Sequence, residues 1–293
     1  MVQEMRELGF KRIELSHGIR VSLVAGILRA VDEGLVEISS VHNFCPLPNT
    51  VQHAAPNLYQ PSSADARELE LWHRYSMQTL DLAVKVGAPR IVMHSGSIHY
   101  FLRSPESRLC KWIDQSGLES CELKTNKDFI KQRERAMKRI RKKSSALLGR
   151  VQESYQKLFE LARERQLTFG IENREGLQEL PLDAEFERFF LALGADAPIG
   201  YWHDAGHAQL KEQFGLLDHA EHLAKVAPKL IGFHLHDVSD KGKDHQQPGT
   251  GTIDFKMIAR QVRPEHTLVL ELSPGLSADQ VLASRDYILN VMG

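Results

Sequence analysis

Two glutamates, an aspartate and a histidine each close a short apolar run in this chain: Phe169-Gly170-Ile171-Glu172, Gly200-Tyr201-Trp202-His203-Asp204, Gly232-Phe233-His234 and Val269-Leu270-Glu271. Three carboxylates and an imidazole are a donor set for a divalent cation. The gaps between Glu172, Asp204, His234 and Glu271 are 32, 30 and 37 residues, about one strand plus one helix each time. In a barrel of such βα units, side chains at the carboxyl ends of different strands converge on one mouth, so the spacing predicts that these four meet. A glutamate at a packed strand end is costly unless it binds a cation or is hydrogen-bonded. Either glutamate alone could be a structural ion-pair partner; the same placement of Glu172 and Glu271 in one chain favours the cation.

Further polar residues fall on the same rim. In His203-Asp204-Ala205-Gly206-His207, Asp204 and His207 can face one cavity, and Gly206 makes room for a tight exit from the strand. The competing role for Asp204 is to cap the turn that follows. His203 points to the opposite face by parity and reads as a packed or surface histidine. Phe233-His234-Leu235-His236-Asp237 sets His234 and His236 on one face of a strand, where two imidazoles need partners. The polar loop after it, with Pro248, Gly249 and Gly251, is placed to fold His245 over a ligand, or else is a mobile surface loop. His42 precedes Asn43-Phe44-Cys45-Pro46 and His94 precedes Ser95-Gly96-Ser97, each a hydrogen-bonder or a ligand at a strand end. Glu14, in Arg12-Ile13-Glu14-Leu15-Ser16, joins the rim as a substrate contact or a structural acid.

Alternating strand-like and helical runs must position these groups, which argues for α/β with a parallel sheet. Strands are expected near residues 12–16, 36–42, 90–94, 168–172, 199–204, 230–236 and 268–272. Helices are expected near 21–32, 64–86, 147–165, 184–193, 216–227, 254–261 and 278–292. In the helix leading to Arg165, Leu148, Val151, Tyr155, Leu158 and Ala162 form an apolar stripe at three-and-four spacing. With 293 residues the chain is near the usual size of a single (β/α)8 TIM barrel, read as one domain over residues 1–293. The strand count is seven. Val2, Met5 and Leu8 have helical spacing before Gly9, so the chain begins in the first helix and lacks the first strand. That is the expectation for a sequence shortened at its N-terminus.

Glu172 follows His94 by 78 positions, about twice a βα unit, which marks 97–145 as an insertion. Its first part, residues 97–127, is expected as a loop or lid at a strand's carboxyl end. Its second part, from Lys131 to Lys143, carries eight basic residues against one glutamate. That run is a solvated helix extension or a contact for phosphate or nucleic acid. The net charge of −1 makes no global case for nucleic acid. Three cysteines (Cys45, Cys110, Cys121) without a zinc or redox spacing fit a reducing compartment. No run approaches a membrane span and the first residues are charged, so a cytoplasmic protein is expected, with no membrane partner.

Taken in order, His42, His94, Glu172, Asp204-x-x-His207, His234-x-x-Asp237, His245-x-x-Pro-Gly-x-Gly and Glu271 resemble the xylose isomerase-like TIM barrel superfamily, from about Arg12 to the C-terminus except for the insertion. Two branches fit. The sugar (phosphate) isomerase/epimerase branch implies one divalent ion, Mn, Mg, Co or Zn, on Glu172, Asp204, His234 and Glu271. It implies proton transfer through an enediolate by Glu172 and Glu271 as the catalytic pair. His207, His245, His94, His42 and Glu14 would then contact a sugar or keto-acid substrate. The endonuclease IV branch, which repairs abasic DNA with three zinc ions, asks for nine ligands. His42, His94, Glu172, Asp204, His207, His234, His245 and Glu271 match eight, and Lys243 stands where the ninth should be an aspartate. Asp244 is one place off, with the wrong parity for an extended segment, so the isomerase/epimerase reading is preferred. A non-catalytic sugar-binding barrel is a third reading, disfavoured by the complete four-ligand set. Substrate identity and oligomeric state stay open.

Overall fold

The computed structural model describes residues 2–293, without the side chains of Ser120 and Cys121. In chain order the elements are α1 (Val2–Glu7), β1 (Arg12–Leu15), α2 (Val21–Asp32), β2 (Glu37–His42), α3 (Ala66–Lys85), β3 (Arg90–Met93), α4 (Pro105–Ser116), α5 (Ser120–Leu123) and α6 (Lys127–Glu164). There follow β4 (Thr168–Glu172), α7 (Phe186–Leu193), β5 (Ile199–Asp204), α8 (Ala205–Gln213), α9 (His219–Val226), β6 (Leu230–Leu235), α10 (Phe255–Ala259), β7 (Thr267–Leu270) and α11 (Ala278–Met292). Seven strands stand among the described residues, hydrogen-bonded in sequence order from β1 to β7. This is the βα alternation expected from the sequence, with a helix ahead of the first strand.

The contacts divide the chain into two units. The first comprises residues 2–96, 149–172 and 190–202. Its strands pair in parallel, with Val41 opposite Ile91, Ile91 opposite Phe169 and Glu172 opposite Trp202. Parallel strands covered on both faces read as continuous apolar runs, and Leu15, Val41, Ile91, Met93, Phe169, Ile171 and Tyr201 are all buried. Gly170 has no alternative here, because a Cβ on it would lie 2.8 Å from the ring of Trp202. The expected stripe of α6 is buried at Leu148, Val151, Tyr155, Leu158 and Ala162, and Trp72 of α3 meets Tyr155 edge-on at 5.6 Å.

The second unit comprises residues 97–148, 173–189 and 203–293. Here β6 and β7 pair in parallel, His234 opposite Val269. Residues 97–127, expected as a loop, instead contain α4 and α5. Ser104 caps α4 by accepting from the Ser107 N–H at 3.0 Å, Pro105 opens it, and Gly117 ends it in the left-handed region at φ 66°. Leu109, Leu123 and Phe129 form a small core there, with Trp112, Leu177 and Phe214 packed against it. The basic run is the first half of α6, a continuous helix of 38 residues. Helix α8 was not expected: Ala205, Gly206, His207, Ala208, Gln209, Lys211 and Gln213 are all buried, so no apolar stripe betrays it. Among the described residues no helix is long and apolar enough to cross a membrane.

Candidate functional site

In the first unit, β2, β3 and β4 each end on a side chain of one cluster. His42 Nε2 lies 3.5 Å and His94 Nε2 2.9 Å from the same Glu172 oxygen, and all three residues are buried. The other ring nitrogens are committed to carbonyl oxygens. His42 Nδ1 is 3.1 Å from Asn43 O and His94 Nδ1 is 3.1 Å from Asn57 Oδ1. A carbonyl only accepts, so each Nδ1 carries a proton and each Nε2 is left facing the carboxylate, where a protonated ring would donate to it and a neutral ring would share a cation with it. A carbonyl behind each imidazole is also how metal-binding histidines are held. One ligand atom from each of His42, His94 and Glu172 falls within 4.8 Å of the others. His17 was not singled out in the sequence, yet its ring lies 4.7 Å from that of His42 and 6.3 Å from that of His94. Glu14 is held by the Ser40 hydroxyl, which donates to it at 2.6 Å.

In the second unit the strand-end residues of β5, β6 and β7 meet. His234 Nδ1 is 3.0 Å from Glu271 Oε2 and 3.8 Å from Asp204 Oδ2, with His234 and Asp204 fully buried. Asp204 also caps α8, accepting from the His207 N–H at 2.7 Å, so the capping role and the cavity role coexist. Asn173 stitches the strand end, donating to Asp204 O at 2.9 Å and accepting from the Asp204 N–H at 2.8 Å. The Asn173 carbonyl also takes His207 Nδ1 at 2.9 Å, again leaving Nε2 for a ligand.

His236 had an inward position by parity but no role. It accepts the His245 N–H on Nδ1 at 2.9 Å, which fixes Nε2–H as the donor to Asp204 Oδ1 at 3.2 Å. It thus orients the aspartate. Burial works against charge on His236, but the Asp204 carboxylate outweighs it and the pKa rises. Asp237 clamps the following loop, accepting from the N–H groups of Val238, Gly249, Gly251 and Ile253 at 2.8 to 3.1 Å. That loop stacks His245 on His236, centroids 4.1 Å apart, with Nε2 3.8 Å from Glu271 Oε1. Burial opposes charge at His245, yet hydrogen bonds to Asp244 and Glu271 prevail and push its pKa up to about 10.

The parity expected of Asp244 holds for an extended segment; His245 instead sits at φ 53°, which turns the chain beside it. Asp244 Oδ2 lies 3.1 Å from His245 Nδ1, and Glu175, His207 and Asp244 bring ligand atoms within 4.8 Å of one another.

Residues 2–283 match the family described as a xylose isomerase-like TIM barrel. The chain belongs to that family. Among solved structures, a D-psicose 3-epimerase from Clostridium cellulolyticum H10 is similar at 12% identity and TM-score 0.69, over 99% of this chain and 92% of that one. A 3-keto-D-glucoside 4-epimerase from E. coli is 14% identical at TM-score 0.66, over 99% and 92%. An L-ribulose 3-epimerase is 17% identical at TM-score 0.65, over 99% and 87%. At such identities the likeness establishes the shared fold. No curated protein sequence matches the chain.

Proposed function

We propose that this member of the xylose isomerase-like family is a divalent-metal-dependent isomerase or epimerase of a sugar or sugar phosphate, working by proton transfer through an enediolate. Glu172, Asp204, His234 and Glu271 would hold one ion: Mn, Mg, Co or Zn. The observation that carries the reading is the meeting of Asp204, His234 and Glu271. An imidazole nitrogen stands 3.0 and 3.8 Å from two carboxylates, one of them fully buried, a set that needs a positive charge to balance it. The sugar-epimerase neighbours support the substrate class. A bound divalent cation supplies polarisation of a substrate carbonyl and its neighbouring hydroxyl, which lowers the cost of the enediolate.

The residues divide the remaining work. Glu271, about one-third exposed, reaches a substrate most readily and removes the proton alpha to the carbonyl. Glu172, entering in its protonated form, delivers a proton to the opposite face of the same carbon, or Glu271 returns its own to the neighbouring carbon. His245 donates to a substrate oxygen, and His207 offers Nε2 to a hydroxyl. His42, His94 and Glu14 are further substrate contacts. The test is exchange of solvent deuterium into a panel of keto-sugars and keto-acids by metal-loaded protein. Glu271→Gln should lower exchange 100-fold or more. Near-normal exchange by that variant removes the proton-shuttling role.

A second reading has its own support in the convergence of His42, His94 and Glu172 and of Glu175, His207 and Asp244. Several donor groups fit an endonuclease IV-like nuclease with more than one zinc, and Asp244 supplies a carboxylate where Lys243 cannot. Metal analysis separates the readings: about one ion per chain supports the isomerase, about three the nuclease. Cleavage of an abasic-site duplex would replace the first reading with the second.

A further inference from the structure

The segment between β3 and α4 leaves two large apolar side chains in water. Phe101 has a relative exposure of 104% and Leu102 of 73%, in a molecule whose other large apolar residues are mostly covered. Their neighbours tie them to the basic half of α6 within the second unit. Lys143 stands over the Tyr100 ring, Nζ 4.2 Å from its centroid, and donates to His99 O at 3.4 Å. The Tyr100 hydroxyl donates to Arg139 O at 3.4 Å. The exposed pair is therefore pinned beside the helix turn that carries Arg139, Lys142 and Lys143.

Along that helix Arg135, Lys138, Arg139, Arg141, Lys142 and Lys143 are exposed, and none of them pairs with a carboxylate among the described residues. The single glutamate of the run, Glu134, is taken by Arg133 at 3.3 Å. Arg135, Arg139 and Lys142 follow one another at four and three residues on one face, a row about 10 Å long at 1.5 Å rise per residue. Cations with no carboxylate beside them raise the local potential even where the whole chain is near neutral.

We propose that Phe101 and Leu102 together with the cationic row of α6 form a docking surface for single-stranded nucleic acid, phosphates on the row and an unpaired base on Phe101. An aromatic ring is enough to stack one base. A bilayer asks for more: one acyl chain is itself a marginal anchor, and two side chains bury less. The proposal stands apart from the chemistry assigned to the metal site, since it uses none of those residues.

The test is fluorescence anisotropy of a fluorescein-labelled single strand of about 20 nucleotides with the full chain. Three neutralised phosphates predict binding about 18-fold weaker at 200 mM than at 50 mM salt. F101A/L102A should weaken binding about 5- to 100-fold while leaving the salt dependence unchanged. R139E/K142E should weaken it and flatten the salt dependence. Both variants alter exposed side chains, and far-UV circular dichroism confirms that each is folded. No binding at 50 mM salt, or wild-type affinity in F101A/L102A, overturns the proposal. So does co-sedimentation with phosphatidylserine vesicles in the absence of oligonucleotide binding.

Discussion

Two buried histidine clusters in this molecule look alike in the sequence and are chemically opposite. In the first unit, His42 and His94 are each held from behind by a carbonyl oxygen and face one carboxylate. In the second unit, His203, His219 and His222 lie among themselves. His203 Nε2 is 2.9 Å from His219 Nε2, so one ring donates and the other accepts. His219 Nδ1 reaches Gln209 Oε1 at 3.3 Å, and His222 packs edge-on against Phe186 at 6.2 Å. Burial is the first cause and neighbouring imidazoles the second in holding His203 well below the ordinary histidine pKa. Burial, with the adjacent His222, lowers His219 to about 4, and burial likewise lowers His222 to about 4. The lesson is that a histidine is marked as a ligand by what stands on either side of its ring, and that burial alone marks core packing.

The largest effect that would sharpen this contrast is acid sensitivity. His219 and His222 are neutral when folded, with pKa about 4 against 6.5 when unfolded. Between those values the unfolded chain binds more protons, so stability is complete above pH 6.5 and is lost as pH falls towards 4. The loss is about 3 kcal/mol for each imidazole. Thermal melts across this range should record it, and His222→Leu should remove about a third, since His203 is held low as well; a flat profile would mean that these rings are not kept neutral by packing. Next in size, Glu172→Ala should weaken divalent-ion binding by more than 100-fold, beyond the effect of losing a supporting partner. Metal content read by mass spectrometry checks it, and an unaltered content would make the first cluster as inert as the second. Smallest, Asn57→Ala removes only the carbonyl behind His94: unchanged ion affinity in calorimetric titration keeps His94 as a substrate contact, and a 10- to 100-fold loss makes it an ion ligand, as the multi-zinc reading requires.

Much of this was legible from the residues. All seven strands announce themselves as short runs, and the well-covered β3 and β4 are largely apolar up to a polar side chain. His42, His94, Glu172, Asp204, His234 and Glu271 stand where those runs stop. What escaped had a physical reason. Helix α8 buries all its residues but the half-buried Leu210 and Glu212, so its sequence has no amphipathic period. Helix α4 had its start written in Ser104-Pro105-Glu106, but its charged, mixed composition concealed it. Asp244 follows no strand parity, because the left-handed residue beside it, His245, breaks the extended run. Asn57, Asn173 and His236 support other side chains from positions distant in sequence, a relation that no local spacing encodes.

Gly206 has a consequence for any attempt to change what this protein acts on. A methyl group there would collide with the His236 ring. The backbone leaving β5 and the imidazole that steadies Asp204 share one volume, and neither can retreat through a close-packed interior. In a drifting lineage or a randomised library, position 206 is a bottleneck through which only hydrogen passes. New specificities would have to be written on the more exposed side chains around it, Glu175 and the residues of the His245 loop.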